Sequence, residues 1–207
     1  MDWSRYFALA AFFVCLTSLS YHFVRLIRLG LPKDYSRRSG NVKSAIAYSF
    51  TGAMNPAKKE SAFLHLPTYA AGLLYHLGTF VSTILFFLFF FNFNPDTSIR
   101  WALAGVLTLS GVSGIGIFLK RLTTHKLRSL SSPDDYVSNF LVTIFQVSAL
   151  SVLVGEAPSQ LYFVCAGILL LYLPIGKLKH ALYFFAARYQ LGYFYGWRGV
   201  WPGKGHG

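Results

Sequence analysis

The sequence predicts an all-α integral membrane protein, a five-helix bundle with its N-terminus outside and its C-terminus cytoplasmic. Three observations carry this. Of 207 residues, 54% are hydrophobic and only 13% charged, where an ordinary soluble domain carries about 25% charged residues. The apolar residues gather in runs of the roughly 20 residues that cross a bilayer. All but Arg5 and Arg100 of the 19 Lys and Arg then fall on one side of those runs, which marks that side as cytoplasmic.

The elements follow in order, as a single membrane domain over residues 1–207. The first span is expected near Tyr6–Leu29. It closes on Arg25-Leu26-Ile27-Arg28 and not on a small-residue cleavage site, so it reads as a retained helix. The second is expected near Thr68–Phe91 and the third near Ile99–Phe118. The fourth covers about Val137–Val154 and the fifth about Gln160–Ala187. The connections alternate in character. Gly30–Phe63 is long and basic, Asn92–Arg100 is a short Asn-Pro turn, Lys120–Tyr136 is basic then acidic, and Gly155–Ser159 is tight and polar. The tail over 188–207 is aromatic, basic and Gly-rich. Ser132-Pro133-Asp134-Asp135 reads as a helix start. Ser132 suits the N-cap, Pro133 the first helical position, and Asp135 the capping-box acid. A proton-relay role for Asp134 or Asp135 is the alternative.

The formal net charge of +12 does not indicate nucleic acid, because its placement is that of a topology signal. It also suits contact with anionic lipid or a cytoplasmic protein partner. Cys15 and Cys165 lie in separate apolar runs with no CxxC pair, so no iron–sulfur cluster is expected in this chain itself.

Six histidines remain to be placed. His206 and His125 fall in the tail and a basic loop, where a solvent role suffices. His65 precedes Pro67, at or before a helix start. At about 1.5 Å per residue, His76 lies about 12 Å from the cytoplasmic end of its span, and His180 and His22 about 10 Å from theirs. Three histidines thus share one depth. Two imidazoles from facing helices at one depth can supply both axial ligands of a haem iron. The competing role is a hydrogen bond to a neighbouring helix. Depth alone leaves the pairs His76/His180, His22/His76 and His22/His180 open.

Two of these histidines sit in recognisable surroundings. Leu74-Tyr75-His76-Leu77-Gly78 resembles the second-helix haem motif of the gamma subunit of respiratory nitrate reductase. Leu173-Pro174-Ile175-Gly176-Lys177-Leu178-Lys179-His180 resembles the fifth-helix motif of that family. Ser129–Val142 and the ending from Arg188 resemble more closely the cytochrome b subunits that pair with heterodisulfide-reductase-like iron–sulfur proteins, including those of sulfite-reduction-linked menaquinol complexes. The likeness covers roughly residues 5–190.

The resemblance implies haem b in the cytoplasmic (inner) membrane, quinone or menaquinone as an exchangeable substrate, and an iron–sulfur partner subunit on the cytoplasmic side. It implies His76 and His180 as the axial ligands. Phe86, ten residues beyond His76, and Tyr162 stand where distal ligands would fall, so one haem is expected. Two haems would call on His65 or His22, and aligning His65 with the first motif His would make His76 a distal ligand. His65 and His22 are also candidates for a quinone site. Arg121, Lys177, Lys179 and Arg188 lie near the cytoplasmic rim, where they can meet haem propionates or act as topology anchors. Thr68, Tyr69, Tyr75, Gln146 and Ser148 are polar candidates beside a quinone. Residues 52–67 and the tail over 189–202 are the expected docking surfaces, the tail aromatics serving equally as an interfacial belt. A bis-imidazole haem leaves no open iron position, so the expected role is electron transfer within a quinone-linked oxidoreductase and not catalysis by this chain alone. The alternative is a haem-free anchor subunit. A transporter is disfavoured by the lack of a repeat or of a Gly/Pro-broken helix pair.

Overall fold

The computed structural model describes residues 2–30, 34–55 and 65–203. Among them every regular element is helical: α1 (Trp3–Arg28), α2 (Val42–Phe50), α3 (Leu66–Phe90), α4 (Thr97–Thr123), α5 (His125–Leu130), α6 (Pro133–Val154), α7 (Ser159–Tyr172) and α8 (His180–Trp197). Short 3-10 turns occupy Gly52–Met54 and Lys177–Lys179. Helices α1, α3, α4 and α6 are each long and apolar enough to cross a membrane. A fifth span is counted if Ser159–Tyr172 and Lys177–Trp197 form one bent span. The described residues are therefore all-helical, with four or five candidate membrane-spanning helices, as a multi-pass membrane protein requires.

The largest departure from expectation lies in that fifth segment. A continuous helix over 160–187 is expected, yet α7 stops at Tyr172. Pro174 brings no N–H to a helical ladder. The N–H groups of Ile175 and Gly176 both turn back to the Tyr172 carbonyl at 3.0 and 2.9 Å. Two further helices stand where loops are expected, α2 in the long basic connection and α5 after α4. The tail is helical as far as Trp197. Lys33, Lys58, Lys59, Lys204, His206 and most of the 52–67 docking surface lie outside the described residues.

The chain divides into two compact units. The first comprises Met1–Ser18 and Pro67–Leu178. Its packing inverts the soluble pattern. On α3 the buried positions include Gly78 and Ser82 beside Leu85, Phe86 and Phe89. Leu73, Leu77, Phe80, Ile84 and Phe87 face outward. Small groups let helix backbones approach, and apolar side chains face lipid without cost. A methyl group on Gly78 would strike the Ser110 side chain of α4. On Gly167 of α7 it would strike the Phe7 ring of α1.

A polar ladder ties α3, α4 and α6 through this apolar interior. Gln146, 1% exposed, donates to the Tyr75 carbonyl at 3.0 Å and to Thr79 Oγ1 at 2.8 Å. It accepts from Ser110 Oγ at 2.7 Å. One turn earlier, Tyr75 donates to the Asn139 carbonyl at 2.8 Å and lies 2.9 Å from Thr143 Oγ1.

The second unit comprises Leu19–Leu66 and Lys179–Gly207, and its centre is the pairing of α2 with α8. Gly192 and Gly196, one turn apart on α8, are buried. A methyl group on Gly192 would meet the Ile46 backbone at 2.5 Å, and one on Gly196 the Ala45 Cβ at 2.6 Å. On α2 the buried residues are Ala45 and Ser49. This is small-xxx-small packing on both partners. Ser49 Oγ adds a 2.7 Å bond to the Arg188 carbonyl. The segment before α2 is fastened to the end of α8, where Trp197 Nε1 donates to the Ser36 carbonyl at 2.8 Å and Arg198 pairs with Asp34 at 2.7 Å.

Candidate functional site

His76 stands on the outward face of α3, within the stripe of Leu73, Leu77 and Phe80. Its Nδ1 lies 2.8 Å from the Gly72 carbonyl one turn back. A carbonyl can only accept, so in the neutral ring this contact places the proton on Nδ1 and leaves Nε2 with its lone pair. That is the arrangement of a metal-ligating imidazole, whose other nitrogen is held by a backbone or carboxylate oxygen. Gly72 is half-buried and a methyl group there would meet nothing within 4 Å. The glycine is therefore not required to admit the ring.

The other histidines fall in different surroundings. His65 occupies the turn before α3 and is exposed, as its place before Pro67 led one to expect. In the second unit His180 opens α8 and is exposed. His22 of α1 is half-buried, with Nδ1 at 3.3 Å from the Tyr183 hydroxyl and the two rings edge to face at 6.2 Å. This contact is the helix-to-helix hydrogen bond that competes with ligation for His22.

The positions expected for distal ligands are filled by packed rings in the first unit. Tyr162 is fully buried and donates to the Ser82 carbonyl at 2.5 Å. It stacks on Phe145 at 5.4 Å between centroids, meets Phe89 edge-on at 5.8 Å and adjoins Phe163 at 5.7 Å. Phe86 in turn meets Phe163 at 5.8 Å.

Of the basic candidates, Arg121 and Lys177 converge on one carboxylate. Asp135 takes Arg121 at 2.9 Å and Lys177 at 2.7 Å. The same carboxylate accepts from the Ser132 N–H at 2.9 Å, the capping contact expected at this helix start. Lys120 joins from α4 by donating to Thr68 Oγ1 at 2.8 Å. Lys179 and Arg188 belong to the second unit, where the Arg188 guanidinium lies 5.7 Å from the Phe184 ring centre. The polar candidates Tyr75 and Gln146 are committed to the ladder described above, and Ser148 Oγ to the Phe145 carbonyl at 2.9 Å.

Sequence reasoning placed Asp135 as a cap and missed it as the shared partner of two cations. Only its position beside two basic segments hinted at that. Among the described residues no three His, Cys, Asp or Glu side chains gather as a metal-ion site. Comparisons with protein-family models, curated proteins and solved structures find no match.

Proposed function

We propose that this chain is the haem b-carrying membrane subunit of a quinone-linked redox complex in the cytoplasmic (inner) membrane. The observation that carries the reading is His76, an outward imidazole on an apolar spanning helix with Nδ1 engaged by Gly72. In hydrocarbon its Nε2 lone pair would be left without a partner, at a cost in free energy. An axial bond to haem iron removes that cost.

In this reading His180 supplies the second axial nitrogen, on the strength of the resemblance of both motifs to the nitrate reductase gamma family. The segment from α7 through α8 serves as the fifth span, with the N-terminus outside and the basic ends cytoplasmic. The bound haem supplies one-electron transfer between quinol or menaquinol and an iron–sulfur partner subunit. The chain's own residues hold the macrocycle, orient the His76 ring and exclude water with apolar side chains. One haem is favoured over two, because Phe86 and Tyr162 stand at the positions where the resemblance would put distal ligands, and both are packed rings.

A redox difference spectrum of the purified full chain, made with ample haem, tests the reading. The expected result is a low-spin b-type signal at one haem per chain, lost in His76→Ala and in His180→Ala. A folded, monodisperse chain without that signal would leave the haem-free anchor as its role. A full signal in either variant would reject this ligand pair.

A further inference from the structure

Within the first unit, α4, α5 and the start of α6 border a cleft of about 320 Å³ that also takes in Thr68 and Lys177. Its lining has two halves. Lys120, Arg121, Lys177 and Thr68 form a cationic, hydrogen-bonding side, and Ile117, Leu127 and Leu130 form an apolar wall. Asp135 is the one acid among the described lining residues, and Arg121 and Lys177 share it. Lys120 is engaged by a neutral hydroxyl. Three cations of the lining thus face one carboxylate.

Arg121 keeps donors to spare beyond Asp135, since a guanidinium has five N–H groups. The Arg121 and Lys177 side chains remain 30% and 53% exposed. The apolar wall is equally unspent. Leu130 is 77% exposed on the short helix α5, between the basic residues Lys126 and Arg128 and the start of α6. A soluble anion would use the cations and gain nothing from Ile117, Leu127 and Leu130. A ligand with a charged head and a hydrocarbon tail uses both. The cleft also lies at the ends of helices long enough to span a bilayer, where a headgroup sits. Clusters of Lys and Arg at such helix ends attract acidic lipid.

We infer that this cleft is a binding site for one anionic phospholipid. Its phosphate sits among Lys120, Arg121 and Lys177, with Asp135 holding the last two in place. An acyl chain runs along Ile117, Leu127 and Leu130. This does not depend on haem binding.

Native mass spectrometry of the full chain, taken from nanodiscs of mixed phosphatidylglycerol and phosphatidylcholine, tests it. One phosphatidylglycerol should survive per chain, in preference to phosphatidylcholine. Lys120→Gln leaves both ion pairs intact and should reduce retention about tenfold, while Lys120→Arg should restore it. Leu130→Ser, at an exposed position, should also reduce retention. Lys126→Gln, outside the cleft, should leave it unchanged. Full retention in Lys120→Gln, or an equal loss in Lys126→Gln, would overturn the site in favour of general surface charge. Displacement of the lipid by millimolar inorganic phosphate would overturn it in favour of a soluble anion. Helix content and monodispersity of each variant show that any loss is not unfolding.

Discussion

Tyr162 of α7 donates its phenolic hydrogen bond to the backbone carbonyl of Ser82 on α3 at 2.5 Å. The carbonyl belongs to a helix interior, so the contact is an added bond to an oxygen already in the helical ladder. Removing the hydroxyl alone should therefore cost only the net worth of one hydrogen bond. Tyr162→Phe is expected to lower stability in detergent by about 1 kcal/mol. Tyr162→Ala, which also empties the ring's place against Phe145 and Phe89, should cost about 3–5 kcal/mol. Equal losses in the two variants would show that the ring's packing contributes nothing.

The hydroxyl of Ser82 itself is buried and has no hydrogen-bond partner among the described residues. A buried, unpaired hydroxyl is a cost that alanine removes. Ser82→Ala should thus be neutral or stabilising in the same unfolding measurement. A loss above about 1 kcal/mol would mean that the hydroxyl has a partner.

Gln146 and Ser110 make the central rung of the polar ladder. Replacing Gln146 by Leu takes away the acceptor for Ser110 and the donor for Thr79. The expected cost is about 0.5–1.5 kcal/mol, since buried bonds between membrane helices are individually modest. Ser110 retains a longer contact to the Tyr75 carbonyl at 3.3 Å, which softens the loss. The double variant Ser110→Ala/Gln146→Leu should be more stable than the two single costs added together. A cycle with no coupling energy would place the two residues in separate interactions.

The sequence discloses the features that rest on long, local patterns. Runs of apolar residues mark the spanning helices, and the start of α6 is legible from Ser132, Pro133 and Asp135 because capping is decided within four residues. The break after Tyr172 escaped. Pro174 and Gly176 fall within the histidine motif, yet the missing N–H of proline is a sufficient reason for a helix to stop. Helix α2 was missed because its apolar content is short and its stabilising partner, α8, lies far along the chain. The spacing Gly192-xxx-Gly196 was available as a close-packing signal. It lies within a tail whose dominant pattern is aromatic. In the candidate site, the residue types were legible but their pairing was not. Nothing in the order of residues says that Arg121 and Lys177 meet on Asp135, since that depends on how three separated segments pack.

The pairing of α2 with α8 rests on the absence of side chains. A methyl group at Gly192 would meet the Ile46 Cα and the Ala45 carbonyl, both backbone atoms that cannot rotate aside. Gly192→Ala should force the helices apart and cost about 1–3 kcal/mol, the scale of overpacking. Gly105 is the control, since a methyl group there meets nothing within 4 Å. Gly105→Ala, in the interior of α4, should be neutral or stabilising by up to about 1 kcal/mol on helix propensity. Amide exchange over α2 should quicken in Gly192→Ala and stay unchanged in Gly105→Ala. Unchanged exchange in both would show that the close approach does not hold α2.

The clamp between Asp34 and α8 should respond to acid. Asp34 accepts from the Ser36 hydroxyl at 2.7 Å and from the Ser36 N–H at 3.0 Å, and pairs with Arg198 at 2.7 Å. These contacts favour the carboxylate, the Ser36 hydroxyl first, and hold its pKa below the ordinary aspartate value. A group whose folded pKa is depressed stabilises the fold above its unfolded pKa. That contribution fades as the pH falls from about 3.9 through the folded value. The Arg198 guanidinium also sits over the Phe194 ring at 3.7 Å. Protection of the Ser36 and Ser39 amides, taken relative to their intrinsic exchange rate at each pH, should therefore fall between about pH 5 and about pH 3. Asp34→Asn, which cannot ionise, should exchange faster than the parent at about pH 6 and lose the acid-induced step. The same step in Asp34→Asn and in the parent would assign the acid sensitivity to another group.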